Sequence, residues 1–236
     1  MNIKKFLVGA AAGAVMFGLT SVTIFASTGL GTNWRIYNVM PATAKFWDIN
    51  QPQYDSNEGY TFPIQAFDTE TTGSFAVYFL NNYNIDMTDK IITATVNWTS
   101  GSYETRSTVF GGAYARVEFQ DTTAGAYTSN DYWWYSGDVV DLSSEGPDTL
   151  LAPLTDRAHW TNICGQVATD TVAYPGPNCV GGTDPAVSPS DGFTNAMKNV
   201  KQVGLSFGSA GSYASGVAIV AQEAGTFTVS SFDISN

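Results

Sequence analysis

Basic residues, histidine and cysteine are all scarce in this chain. Lys and Arg together number 10 against 21 Asp and Glu, a formal net charge of -11. That balance excludes a nucleic-acid reader, because nothing offsets phosphate repulsion and the sequence carries no basic cluster. A single histidine, His159, and two cysteines, Cys164 and Cys179, are too few ligands for a structural zinc site. Charged residues make up only 13% of the chain and hydrophobic ones 44%, a composition that can build a core and does not suit a disordered protein. Repeats, heptads and low-complexity linkers are absent as well. What is plentiful is Gly (23), Tyr (12), Ser and Thr, the uncharged, hydroxyl-rich and aromatic makeup common in extracellular β-proteins.

Residues 1–26 read as a secretory signal peptide. Lys4 and Lys5 form its charged start, Phe6 to Leu19 its apolar stretch, and Ala26 the residue before the cut. The stretch is short for a spanning helix, although a retained anchor is the alternative. The expectation is a single domain over 27–236, secreted or held at the cell surface, with no membrane contact after cleavage. Export permits disulfides. Cys164 and Cys179 are the only pair, and closing their loop contributes about 3 kcal/mol on the chain-entropy model. A redox or nucleophilic cysteine is not indicated, since neither CxxC spacing nor a neighbouring Lys or Arg is present.

Beyond Tyr60 the apolar residues recur with a period of two. Ile92, Ala94, Val96 and Trp98 alternate with Thr93, Thr95, Asn97 and Thr99. Ala115, Val117 and Phe119 alternate with Arg116, Glu118 and Gln120, and Val203, Leu205 and Phe207 with Gln202, Gly204 and Ser206. Each predicts a strand with one dry and one wet face. Phe75 to Leu80, apolar on both faces, predicts a covered central strand. The last strand, Thr226 to Ile234, changes phase at Ser230-Ser231, which predicts a β-bulge. One helix is expected, capped by Ser190-Asp191, with Phe193, Met197 and Val200 on one face. Ser27 to Gly59, whose Trp34, Tyr37, Phe46, Trp47 and Tyr54 lack a sustained period, is expected to supply edge strands and loops that wrap the sandwich. The fold class that follows is all-β: a β-sandwich or jelly roll with one short helix in the C-terminal third.

The run Tyr132-Trp133-Trp134-Tyr135 is the most informative local feature. On a strand, Tyr132 and Trp134 share one face while Trp133 and Tyr135 share the other. If one pair fills the core, the second stands on the opposite face, either open as a platform for a sugar ring or beneath a loop. Candidate ligand contacts are therefore Tyr132, Trp133, Trp134, Tyr135, Asp131 and Arg106, with Arg116 a lesser one. A glycosidase would need two carboxyls about 5 Å apart for retention, and somewhat more for inversion. Glu104 and Glu118 fall on neighbouring predicted strands, but without the spaced carboxylates of sandwich-fold glucanases. His159 has Asp156 three residues upstream and no G-x-S-x-G elbow, so a Ser-His-Asp hydrolase is not indicated. Calcium is a candidate structural ion on composition alone, since no Asp-x-Asp-x-Asp-Gly loop is present. No other cofactor and no catalytic residue are expected.

The C-terminal third resembles secreted jelly-roll domains of the galactose-binding-like type, which include many carbohydrate-binding modules. The residues carrying the resemblance are Trp160-Thr161-Asn162, the helix Gly192 to Val200, Val203-Gly204-Leu205-Ser206-Phe207-Gly208, and the closing Gly225-Thr226-Phe227-Thr228-Val229. Calcium-bearing members often have Asp where this chain has Ser230 and Ser231. The resemblance implies a jelly roll and transfers no catalytic residue. The expected function is non-catalytic glycan or polysaccharide binding by aromatic stacking. The alternatives are a structural surface, matrix or adhesion role, and a glycosidase or lyase of sandwich fold.

Overall fold

A computed structural model describes residues 33–40, 45–48, 52–66, 75–99, 101–105, 111–121, 128–144, 146–173, 187–220 and 224–236. The expected leader (1–26), Arg106 and Cys179 lie outside these residues. The strands in chain order are β1 (Arg35–Met40), β2 (Lys45–Asp48), β3 (Gln53–Asp55), β4 (Gly59–Ile64), β5 (Phe75–Ile85), β6 (Ile91–Trp98), β7 (Tyr103–Thr105), β8 (Tyr114–Gln120), β9 (Tyr132–Tyr135), β10 (Val140–Asp141), β11 (Asp148–Pro153), β12 (Trp160–Asn162), β13 (Val200–Gly208), β14 (Val217–Ile219) and β15 (Gly225–Ser235). Helix α1 (Pro189–Met197) precedes β13, and a 3₁₀ turn spans Arg157–His159. The strands form two antiparallel sheets. The larger runs β12-β9-β8-β13-β5-β1-β2, with β10 on β8 and β14 bridging β5 to β7; the smaller runs β11-β6-β15-β4-β3. The architecture is an all-β sandwich, as the periodicity predicts, and no described helix is long and apolar enough to cross a membrane.

Strand β6 shows how the pattern becomes packing. Ile92, Ala94, Val96 and Trp98 are all buried, while Thr93 and Thr95 are half-buried and Asn97 is exposed. They meet Ala115, Val117, Phe119, Leu205 and Phe207 of the larger sheet in one continuous core. Trp34, in the stretch without period, stacks on Phe79 at 4.4 Å and meets Phe232 edge-on at 4.9 Å. Its neighbours β2 and β3 are the outer strands of the two sheets, as expected of that stretch. The register of β15 on β6 shifts between Val229 and Ser231, the bulge that the phase change predicts. The β3–β4 hairpin closes at Gly59 with φ +93°, where a Cβ would lie 2.2 Å from the Val229 carbonyl oxygen. Only glycine satisfies both constraints.

The helix departs from expectation at both ends. Its cap is Ser188, whose Oγ accepts from the Asp191 N–H at 3.1 Å and donates to the Asp191 carboxylate at 2.9 Å. Pro189 follows at the first helical position, where its missing N–H costs nothing. The helix stops at Met197, leaving Val200 to open β13. Its buried Phe193 seats against Trp133 at 4.9 Å and against Trp160 and Phe119, each at 5.7 Å. Ser188→Ala is expected to cost about 1 kcal/mol of stability. Urea unfolding of variant and wild type side by side measures it, and no change would mean that the cap is not made in solution.

Candidate functional site

The outward face of the larger sheet, opposite the core, is where the structure differs most from the pattern. On β8, Arg116, Glu118 and Gln120 were expected to be wet; they are 2%, 0% and 4% exposed. Paired residues on adjacent antiparallel strands share a face, and the registers place this face in detail. On β9, Trp134 lies opposite Glu118 and Tyr132 opposite Gln120. On β13, Ser206, Gly204 and Gln202 lie opposite Arg116, Glu118 and Gln120. Gly204 presents no side chain there, and a Cβ would come within 1.9 Å of the Phe79 carbonyl oxygen.

Arg116 and Trp134 are covered by the segment between β13 and β14. It is a small-residue loop closed on itself: Ser209 N donates to Ser212 O at 3.0 Å, Ser212 N to Ser209 Oγ at 3.0 Å, and Gly216 N to Phe207 O at 2.9 Å. From it Tyr213 reaches back over the sheet. The Arg116 guanidinium lies 4.2 Å from the Tyr213 ring centroid and donates from an Nη to Ser209 O at 3.1 Å. Trp134 packs edge-on against Tyr213 at 6.0 Å and beside Tyr132 at 6.2 Å. The flank stays open. Tyr114, Arg116, Ser136, Val139, Ala210 and Tyr213 line a cleft of about 250 Å³.

Burial has electrostatic consequences here. Loss of water lowers the Arg116 pKa to about 10, partly opposed by the Tyr213 and Tyr114 hydroxyls. Burial drives Glu118 the other way, up to about 8, moderated by the Gln120 amide and the nearby Trp134 indole. Gln120 Nε2 donates to Glu118 Oε1 at 3.0 Å. Arg116 Nε and Ser206 Oγ are buried without a hydrogen-bond partner, while the Trp134 indole stands as a donor to the Glu118 carboxyl. Unpaired buried polar atoms are rare in folded proteins because each costs about 1–3 kcal/mol. Two of them on the cross-strand pair Arg116 and Ser206, beside the open cleft, make this the candidate site.

The aromatic run is not an open platform. Trp133 and Tyr135 point into the core; Trp133 donates to the Asn130 carbonyl at 2.7 Å and Tyr135 to Asp156 Oδ2 at 2.7 Å. Trp134 is only 3% exposed, and Tyr132 alone remains half-buried. A loop from elsewhere in the chain covers Trp134, a placement that the local alternation does not contain. Asp131 is committed to the turn before β9, accepting from Thr128 N at 2.5 Å and Thr128 Oγ1 at 2.8 Å. Burial and the adjacent Asp131 raise Asp121 to about 7. Among the described residues no cluster of three His, Cys, Asp or Glu could hold a metal. Ser230 Oγ donates to Thr95 O at 3.1 Å, so that hydroxyl serves the sheet.

Other candidates separate as well. Glu104 is exposed on β7, which pairs with β14, whereas β8 pairs with β9, β10 and β13, so Glu104 and Glu118 are not on paired strands. The registers set Glu104 level with about Phe75 of β5 and Glu118 level with Leu80, an offset of roughly 17 Å along the strands and beyond any two-carboxylate glycosidase geometry. His159 is exposed, with Nδ1 held by Asp156 at 2.8 and 3.0 Å. A larger hollow of about 420 Å³, between Tyr83, Asp86, Lys90 and Phe232, has no unpaired buried polar atom on its walls. Cys164 is buried and not free, while its expected partner lies outside the described residues. The Trp160-Thr161-Asn162 segment proves to be a structural hub. Asn162 accepts from the Cys164 and Gln166 N–H groups, each at 3.0 Å, and donates to Asn130 at 2.9 Å. The residues that the sequence reading missed are Tyr213 and Tyr114. The available signal was one aromatic residue alone in Gly208-Ser209-Ala210-Gly211-Ser212-Tyr213-Ala214-Ser215-Gly216. Compared with known proteins, the chain matches no family model, no curated protein and no solved structure.

Proposed function

We propose that this is an exported, non-catalytic glycan-binding protein of galactose-binding-like jelly-roll type, with its site at the cleft between Arg116 and Tyr213. The observation carrying the reading is the pair of unpaired buried polar atoms on Arg116, which lines the cleft, and on its cross-strand partner Ser206. A sugar offers what such a face needs. Its hydroxyls both donate and accept, and its C–H face packs on aromatic rings such as Tyr213 and Tyr114. The contacts differ from an open Trp platform: Tyr132 is the one member of the aromatic run with an accessible ring, and Trp134 acts from beneath Tyr213. Cys164 is assigned to a disulfide with Cys179, which suits an exported chain. Affinity should be modest, because sugar hydroxyls surrender water before gaining protein hydrogen bonds.

A glycan array with the secreted protein tests this, run with calcium and with chelator. Specific signal is expected, falling about tenfold or more in Tyr213→Ala, in line with the loss of one aromatic contact and its covering of Arg116. Tyr213 sits on a half-exposed loop, so the variant should stay folded. Silence under both conditions would sink the glycan reading and favour a structural surface role. Binding untouched by Tyr213→Ala would move the site elsewhere.

A further inference from the structure

The charge in the cleft narrows the ligand class. Arg116 is 2% exposed, yet among the described residues no carboxylate forms an ion pair with it. One Nη–H goes to Ser209 O, the Tyr213 ring covers the guanidinium plane at 4.2 Å, and Nε has no partner. Cation–π contact compensates a buried charge only in part, and an uncompensated buried charge is among the most costly features a fold can keep. Glu118, two residues along the same strand face, does not serve as counter-ion. Burial favours its neutral form at neutral pH, so the site carries net positive charge. A planar guanidinium with free N–H groups is the side chain best matched to a carboxylate.

We propose that the ligand is a short glycan bearing a uronic acid, whose carboxylate pairs with Arg116 while its ring lies between Tyr213 and Tyr114. This rests on the glycan-binding reading and specifies its substrate class. Two features set the ligand's size. The cleft of about 250 Å³ falls below the usual volume of sites for drug-sized ligands, so it takes one ring and not a chain of them. The whole protein is strongly acidic, at -11, and repels a long polyanion except at this one point. A single carboxylate meets the buried cation without bringing further negative charge against the surface.

The test is a titration of the purified protein with glucuronate, galacturonate, glucose, galactose and acetate, followed by tryptophan fluorescence, to which Trp134 beside Tyr213 contributes. Either uronate is expected to bind about tenfold to a hundredfold more tightly than its neutral hexose, the range of a charge-assisted hydrogen-bond pair. Acetate should bind no better than the hexoses. Arg116→Lys keeps the charge but loses the fork, and should remove most of the uronate preference. Circular dichroism of that variant shows whether it is folded, and the wild-type preference is read without it. Equal binding of uronate and hexose overturns the uronic-acid assignment and leaves the glycan reading standing. Acetate binding as tightly as uronate overturns it too, because the ring then contributes nothing. If none of the sugars binds, both readings fail together.

Discussion

Trp133→Ala is expected to lower the unfolding free energy by about 3–5 kcal/mol, the usual cost of emptying a buried aromatic site. Trp133 is fully buried, meets Phe193 edge-on at 4.9 Å, and lies opposite Phe119 on one side and Asn162 on the other. The truncation also takes the indole donor away from the Asn130 carbonyl. Asn130 in turn receives the Asn162 amide at 2.9 Å, so the loss reaches the hub that holds the Cys164 turn. A loss of that size is a large part of the roughly 5–15 kcal/mol available to a typical domain. Trp134→Phe, one residue away, should cost only about 1 kcal/mol, since it removes a single donor to the Glu118 carboxyl and a modest ring volume. Denaturant titrations of both variants separate two residues that sequence alone treats as equivalent. A loss below about 1 kcal/mol for Trp133→Ala would show that this indole is not the keystone of the helix–sheet contact.

That contrast shows where sequence reasoning reached and where it stopped. Period-two alternation in β6 and the phase change in β15 are local, one-dimensional signals, and burial of Ile92 to Trp98 and the Val229/Ser231 shift follow from them. The same logic reads the core face of β8 from Ala115, Val117 and Phe119. It misreads the opposite face, because alternation reports only that two faces differ and not whether a distant segment covers the polar one. Tyr213 covers Arg116 across almost a hundred positions of chain, and nothing in the neighbourhood of Arg116 announces it. The helix was displaced for a more local reason. Ser190-Asp191 and Ser188-Pro189 both resemble starts, and the proline's fixed φ favours the earlier one. Trp34 entered the core without periodic support, because an aromatic ring next to an edge segment can still find Phe79 and Phe232.

The polar residues buried on the outward face of β8 make stability depend on pH, and Glu118→Gln is the variant that exposes the dependence. The native carboxyl ionises near pH 8 against an ordinary value of 4.5, because burial penalises the charged form. Below the ordinary value both native and unfolded chains hold the proton, and glutamate costs little more than glutamine. Between the two values the unfolded chain releases a proton that the native one retains, so wild-type stability falls as pH rises; above pH 8 the loss is complete. Glu118→Gln should therefore match wild type near pH 4 and exceed it by up to about 3 kcal/mol at pH 7. Asp121, raised to about 7, adds a slope of the same sign to both proteins and cancels in the difference. The amide also fits the local hydrogen bonds. With its carbonyl turned toward the Trp134 indole, its NH₂ can meet the Gln120 carbonyl once that side chain flips. Urea midpoints at pH 4, 7 and 9 measure the effect. Parallel pH profiles for variant and wild type would mean that Glu118 reaches solvent and that its burial between Gln120 and Trp134 is not kept.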